Sequence, residues 1–344
     1  MEKNREKKSI KNFIFFLILI AITFYVIFRD QSVSEILKIV SSVDKKFIAI
    51  AIVAMTLFFV CETINLTRTL KALGEKSNFF RNFRYTLIGF FFSSITPAAS
   101  GGQPMEIYYM SKDGIAAGNS TLALLINLTT MQIATISIAL ISLIFNYQYM
   151  NTVLIICFII GILLNASALA LLLVSICSKR VTNAIINFVV KVLKFFKVKN
   201  IESKQEWLNS ELSKYQTNAD YVKSHKVLIL KTVIMTFVQF LIYYSISYWI
   251  YRSFGYNKAN VFEILSMQAV LFATVSGIPS PGAVGVSEGA FLEIYRNIYT
   301  KEQIKSSMLL CRGVNFYLFV LISFVIVIMY TLKDKKHVNG DVSD

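Results

Sequence analysis

Long apolar runs separated by short polar segments are the main pattern of this chain. Six runs are long enough to cross the hydrocarbon core of a bilayer, which takes roughly 20 helical residues. They predict transmembrane helices at about Ile10 to Phe28, Phe47 to Leu66, Ser120 to Phe145, Val153 to Ile176, Val227 to Tyr251 and Met308 to Leu332. The pattern therefore predicts an all-α polytopic membrane protein.

Two further apolar regions, Arg84 to Met110 and Val261 to Tyr295, are interrupted midway by proline and glycine. Proline breaks a helix because it removes a backbone donor and clashes with the preceding turn. The first leg of the earlier region spans only about 20 Å, against a hydrocarbon core of roughly 30 Å. Both regions are therefore predicted to be re-entrant hairpins. They contain all four prolines of the chain, Pro97, Pro104, Pro279 and Pro281.

The distribution of Lys and Arg tests this topology, because cytoplasmic segments of membrane proteins are enriched in both residues. With two re-entrant hairpins, 24 of these residues lie on one side and 9 on the other. If both regions crossed the membrane, the counts would be 15 and 18. The re-entrant topology is preferred, and it places both termini in the cytoplasm. Lys-, Ile- and Asn-rich usage is typical of AT-rich bacteria, so we expect a bacterial plasma membrane.

The two predicted hairpins then enter from opposite faces, and each half of the chain contains two helices, a hairpin and a helix. Residues 1–344 are thus expected to form one membrane domain, with inverted repeats at 1–150 and 151–344. The second repeat includes a basic cytoplasmic loop, 177–226. Within that loop, Val181 to Lys199 is amphipathic and fits either an interfacial helix on anionic lipid or an ordinary connector.

Composition excludes several functional classes. A hydrophobic content of 55%, a charged content of 16% and a mean hydropathy of +0.59 are incompatible with a soluble domain of this size. The net charge of +15 reflects the basic cytoplasmic segments rather than a nucleic-acid surface. The four cysteines lack paired ligand spacing and the two histidines lie in polar segments. We expect no metal site, no cofactor and no soluble catalytic centre.

The two helix breaks share a motif. Thr96 to Glu106 and Ile278 to Glu288 both combine proline with small residues, and each has a glutamate nine residues after its first proline. Broken backbone inside a bilayer must face protein or a water-filled cavity, and helix N-termini suit phosphate or carboxylate groups. The tips are therefore predicted to line one midplane cavity. The candidate lipid- or ion-binding residues are Pro97, Ser100, Gly101, Gly102, Gln103, Glu106, Pro279, Pro281, Gly282, Gly285, Ser287, Glu288, Arg312 and Asn315.

The charged candidates each have alternative roles. Glu106 and Glu288 either cap helices or bind a cationic headgroup, a coupling ion or a proton. Arg312 either pairs with Glu288 or contacts a lipid phosphate. Glu62 and Arg68 are expected to be supporting charges that pair with each other or snorkel toward the interface.

Amide and aromatic side chains within the apolar runs also have expected roles. Gln103 and Asn315 are expected at the cavity, whereas Asn127, Gln132, Gln239 and Gln268 are expected to hydrogen-bond between helices. The aromatic runs Phe90 to Phe92 and Tyr243 to Tyr244 are expected to pack toward lipid or the interface.

The two break motifs, together with Ile107 to Tyr109 and Gly289 to Phe291, resemble the lysylphosphatidylglycerol synthase transmembrane-region family. The resemblance extends over roughly Phe13 to Leu332. It implies a membrane region involved in lipid flipping, as in the multiple peptide resistance factor, where a separate cytosolic domain transfers lysine from lysyl-tRNA to phosphatidylglycerol. The tail from Lys333 is too short to fold by itself, so we expect that catalytic domain to be absent here.

These observations favour a lipid translocator for an anionic or aminoacylated phospholipid such as lysyl-phosphatidylglycerol, or for a polyprenyl-phosphate-linked lipid. Membrane phospholipids are then its expected partners. One alternative is a phosphatidylglycerol lysyltransferase that confers cationic peptide resistance and binds tRNA. Another is an accessory subunit of a separate lipid synthase, transferase or polyprenyl-phosphate glycosyl pathway.

Overall fold

A computed structural model describes residues 33–96, 99–147, 150–195, 201–276, 283 and 285–340, and within these residues it contains helices and no strand. The helices are α1 (Val33–Ser42), α2 (Lys45–Ala72), α3 (Phe79–Ile95), α4 (Gly102–Lys112), α5 (Ala117–Asn146), α6 (Thr152–Cys177), α7 (Lys179–Phe195), α8 (Ile201–Ser224), α9 (Lys226–Ser253), α10 (Val261–Val275), α11 (Val286–Ile294), α12 (Ile304–Arg312) and α13 (Leu318–Gly340). A π-helical segment, Gly313–Tyr317, joins α12 to α13 without a break.

Within the described part of the chain, five helical segments are long and apolar enough to cross a membrane: α2, α5, α6, α9 and the continuous stretch Ile304–Thr331. Each coincides with a span that the sequence predicts. The remaining predicted span, Ile10 to Phe28, lies outside the described residues. The prediction of an all-α, multi-pass membrane protein is confirmed.

The helices α2 and α9 form an antiparallel pair at the centre of the fold. At one end, the N–H of Asp44 donates to the carbonyl of Ser253 at 3.0 Å. Toward the other end, Asn65 Nδ2 donates to Thr236 Oγ1 at 3.0 Å, a side-chain hydrogen bond of the kind that links helices in lipid. We call the end of this helix pair where α9 begins the basic end, and the end where Ser253 lies the opposite end.

Each predicted hairpin is a pair of short helices joined by a helix break. In hairpin one, α3 packs on α4, and its base lies at the basic end, where the Tyr85 and Tyr330 hydroxyls donate to the Asp113 carboxylate. In hairpin two, α10 packs on α11, and it begins at the opposite end, where the Ala259 N–H donates to the Tyr251 hydroxyl at 2.9 Å. The two hairpins thus enter from opposite ends, while the inverted-repeat relation between the halves stays a prediction.

The basic loop folds into α7 and α8, which pack against each other and against the membrane helices. Glu211 on α8 accepts a hydrogen bond from the Gly118 N–H at 2.7 Å, so it caps the start of α5. Lys179 lies 2.9 Å from Asp220 and, together with Lys223, lowers the pKa of that exposed carboxyl. Exposed pairs of this kind contribute little to stability. The connection to α5 is made instead by the Glu211 cap and by Asn218, whose Nδ2 donates to Asn119 Oδ1 at 2.6 Å.

The Asp113 carboxylate gives a first prediction, because it joins hairpin one to the last helix. We expect Asp113→Ala to leave the fully buried Tyr85 hydroxyl without its acceptor, at about 1–3 kcal/mol. Thermal unfolding of the purified protein in detergent measures the loss. A Tyr85→Phe background should remove the part of the loss that is due to Tyr85 and leave the part that is due to Tyr330. Equal losses in both backgrounds would show that the Tyr85 contact is not a cause.

Candidate functional site

The first helix break is closed by a threonine side chain. Thr96 Oγ1 accepts a hydrogen bond from the Gly101 N–H at 2.9 Å and donates to the Phe92 carbonyl at 2.7 Å. Between Thr96 and Gly101, Ala99 adopts φ +54°, a left-handed conformation that is unfavourable for an alanine. One hydroxyl thus satisfies a donor and an acceptor that the break exposes.

Two glycines allow the legs of hairpin one to touch. A Cβ on Gly102 would lie 2.0 Å from Ser93 Oγ and 2.8 Å from the Gly89 carbonyl oxygen. A Cβ on Gly89 would lie 1.8 Å from Glu106 Oε1. Because small residues let helix backbones approach closely, the Glu106 carboxylate rests directly on the surface of α3.

The second helix break is closed by a carboxylate. Glu288 Oε2 accepts hydrogen bonds from the Gly285 N–H at 2.5 Å and from the Ser287 hydroxyl at 3.0 Å. Gly285 has φ +85° and Ala283 has φ +52°, so this break also contains an alanine in the left-handed region. Glu288 therefore caps α11, as an acidic residue in a first turn does.

The same glutamate forms a buried ion pair. Arg312 Nε donates to Glu288 Oε1 at 3.0 Å, and the two side chains are only 13% and 11% exposed. The Arg312 guanidinium carbon also lies 4.3 Å from the centre of the Phe316 ring, within cation–π distance. Of the alternatives for Arg312, the structure shows the pair with Glu288.

Two adjoining cavities lie between the hairpin tips. The first, of about 330 Å³, is called the acidic compartment because Glu62 and Glu106 line it. The second, of about 280 Å³, is called the arginine compartment because Arg312 lines it. Their shared lining comes from both halves of the chain: Phe90, Ser93, Ala99, Tyr243, Phe272, Ser276, Asn315 and Phe316.

The acidic compartment holds two carboxyl groups and no basic side chain among the described residues that line it. Glu106 is only 5% exposed, and neither it nor Glu62 forms a hydrogen bond or ion pair with any residue that the structure describes. No Lys, Arg or His is among the residues that line this compartment. A carboxylate at membrane depth is costly without a partner, so the compartment favours a cationic group or a proton.

The family described as the lysylphosphatidylglycerol synthase TM region matches residues 13–323 of the chain. The chain belongs to this family. Searches of curated proteins and of solved structures returned no match. The family membership that the break motifs indicated is confirmed, and the chain is a multi-pass membrane protein related to lysyl-phosphatidylglycerol synthesis.

The structure of this family member brings part of the predicted site together. The predicted residues that line the two compartments are Glu62, Gln103, Glu106, Ser287, Arg312 and Asn315. Ser100, Gly101 and Gly285 lie in the breaks and Gly102 begins α4. Pro97, Pro279, Pro281 and Gly282 lie outside the described residues. Their binding roles stay predictions.

Of the alternatives for Glu62 and Arg68, which were to pair with each other or to snorkel, the pairing is absent. Residues six apart on a helix are separated by about 120° around its axis. Glu62 accordingly faces the acidic compartment, whereas Arg68 Nη1 donates to Asn65 Oδ1 at 3.3 Å and lines a different depression. Arg68 is therefore not part of the central cavity.

Some residues that line the compartments were expected to have other roles. Asn127 and Gln132 line the acidic compartment, and neither side-chain oxygen has a hydrogen-bond partner within the described residues. Phe90 and Tyr243 line both compartments, and Tyr244 is fully buried, so the expectation that these aromatic runs face lipid or the interface was wrong. The sequence offered a signal for Phe90, which lies in the run that leads into the first break, and for Asn127 and Gln132, which are amides within an apolar run. It offered none for Tyr243.

The contact between Gly89 and Glu106 generates the second prediction. Gly89→Ala should displace the carboxylate or separate α3 from α4, and overpacking of this kind costs about 1–3 kcal/mol. A lower Tm of the purified variant in detergent would show it. Gly289→Ala is the matched control, because a Cβ there meets nothing within 4 Å and should stabilise α11 slightly. Equal Tm shifts for both variants would contradict the close approach.

Proposed function

We propose that this protein translocates an aminoacylated phospholipid, with lysyl-phosphatidylglycerol as the leading candidate, across a bacterial plasma membrane. Both termini are cytoplasmic in this proposal. The observation that carries it is the acidic compartment, where Glu106 is buried and has no partner among the residues that the structure describes, in a cavity that Glu62 also lines. A lysyl ester presents two amino groups, which are the cationic partners that these carboxylates lack.

The arrangement of the two compartments supports one orientation of the bound headgroup. The lysyl amines would lie toward Glu62 and Glu106, and the lipid phosphate toward Arg312 in the adjoining compartment. Arg312 already shares its charge with Glu288, so the phosphate would have to exchange with that carboxylate. Such exchange keeps binding reversible, which transport requires.

The lining that the compartments share supports alternating access. Phe90, Ser93 and Ala99 belong to the first half of the chain, whereas Tyr243 and Phe272 belong to the second. Movement of one half against the other would therefore change the passage between the compartments. This is the rocking mechanism of transporters in which two halves meet near the midplane.

A headgroup-flipping assay in proteoliposomes tests the proposal. Glu106→Gln keeps the size of the side chain but removes its charge. Because a hydrogen bond to a charged group contributes about 1.5–3 kcal/mol, flipping of labelled lysyl-phosphatidylglycerol should fall about ten- to hundredfold. Flipping of labelled phosphatidylglycerol, which lacks the amines, should change far less.

Glu302→Gln is the matched control, since it removes an equivalent charge from an exposed loop outside both compartments. It should flip both lipids at the wild-type rate. Equal losses for both lipids in Glu106→Gln would remove the cationic headgroup from the proposal. Transfer of lysine from lysyl-tRNA to phosphatidylglycerol without any flipping would establish the lysyltransferase alternative instead.

A further inference from the structure

A separate depression lies at the basic end, where the end of α2 meets the start of α9. It has a volume of about 570 Å³, and it is lined by Arg68, Ser224, His225, Lys226, Val227, Leu228 and Lys231. None of these residues lines the acidic or the arginine compartment. No carboxylate is among the lining residues, so the depression is strongly positive.

Its three permanent cations lack anionic partners. Arg68, Lys226 and Lys231 form no ion pair with any residue in the described ranges. The hydrogen bond from Arg68 goes to Asn65, which is neutral. Like charges held around one depression repel each other, so a bound anion would stabilise the arrangement.

The backbone adds to this positive character. Helix α9 has 28 residues, and His225 provides no side-chain cap at its start. The N–H groups of Lys226 and Val227 have no acceptor in the described part of the chain. An uncapped start of a long helix offers both free donors and the positive end of the helix dipole, which together favour a phosphate.

An exposed apolar stripe leads away from the depression along α9. Val227 and Leu230 are 65% and 59% exposed, and the stripe continues at helical spacing through Ile234, Val238 and Leu241. From Lys226 to Leu241 it extends roughly 22 Å along the helix. A soluble phosphate would gain nothing from this surface, whereas an acyl chain packs against it.

We propose that this depression binds an anionic phospholipid from the bilayer. Arg68, Lys226 and Lys231 hold its phosphate together with the start of α9, and its acyl chains lie along the stripe from Val227 to Leu241. Basic pockets between membrane helices on the cytoplasmic side recognise anionic headgroups in this way. The site is separate from the central cavity and does not depend on the proposed translocation.

Lipid titration of the purified chain in detergent tests this site. Thermal unfolding is followed with added dioleoyl-phosphatidylglycerol, with dioleoyl-phosphatidylcholine and with inorganic phosphate. A ligand that binds the folded state raises the Tm in proportion to its saturation. Phosphatidylglycerol should raise the Tm, phosphatidylcholine should do so much less, and high salt should weaken the difference.

The triple variant Arg68→Gln, Lys226→Gln, Lys231→Gln should bind phosphatidylglycerol more than 50-fold more weakly, because each cation near an anionic headgroup contributes about fivefold. The matched control is Lys258→Gln, Lys301→Gln, Lys305→Gln, which removes the same charge at exposed positions outside the depression. The control should bind phosphatidylglycerol as the wild type does.

Equal weakening in both triple variants would overturn the site and leave only a general effect of net charge. A Tm increase of the same size with millimolar inorganic phosphate would overturn the lipid assignment and indicate a soluble ligand. If the triple variant does not fold, Lys226→Glu alone reverses one exposed charge. That variant should bind phosphatidylglycerol more than fivefold more weakly, and unchanged binding would again overturn the site.

Discussion

The fold depends on satisfying the backbone groups that two broken helices expose within an apolar environment. Unpaired N–H and C=O groups at membrane depth cost several kcal/mol each, so each break needs internal partners. Thr96 supplies them at the first break and Glu288 at the second. Once the breaks are closed, four short helices occupy the middle of the fold, and the space between their tips becomes the two compartments.

The two breaks share a sequence register but differ in chemistry. Glu106 and Glu288 both follow a proline by nine residues, yet α4 begins at Gly102 and α11 begins at Val286. Glu288 is therefore the third residue of its helix, from which a side chain reaches back to the cap. Glu106 is the fifth residue, too far along its helix to do so. The second glutamate therefore caps its helix, whereas the first has no hydrogen-bond or ion-pair partner within the described residues.

The sequence predicted the spans and the hairpins because both depend on local properties. The length of an apolar run determines whether a helix can cross a bilayer, and proline breaks a helix wherever it stands in the interior. The face that Phe90 or Tyr243 presents depends instead on which helices pack beside it, and no local pattern contains that information. The separation of Glu62 from Arg68 was available from helical geometry, because six residues do not complete a whole number of turns.

The π-helical segment in the last span has a geometric consequence. A π turn holds about one residue more than an α turn, so the helices on its two sides are out of phase by roughly 100°. Before the segment, α12 contacts α11 of hairpin two; after it, α13 packs along α3 of hairpin one. The last membrane helix thus presents differently oriented faces to the two hairpins, which enter from opposite ends. The one extra residue rotates α13 relative to α12, so that the continuous helix can pack against both hairpins.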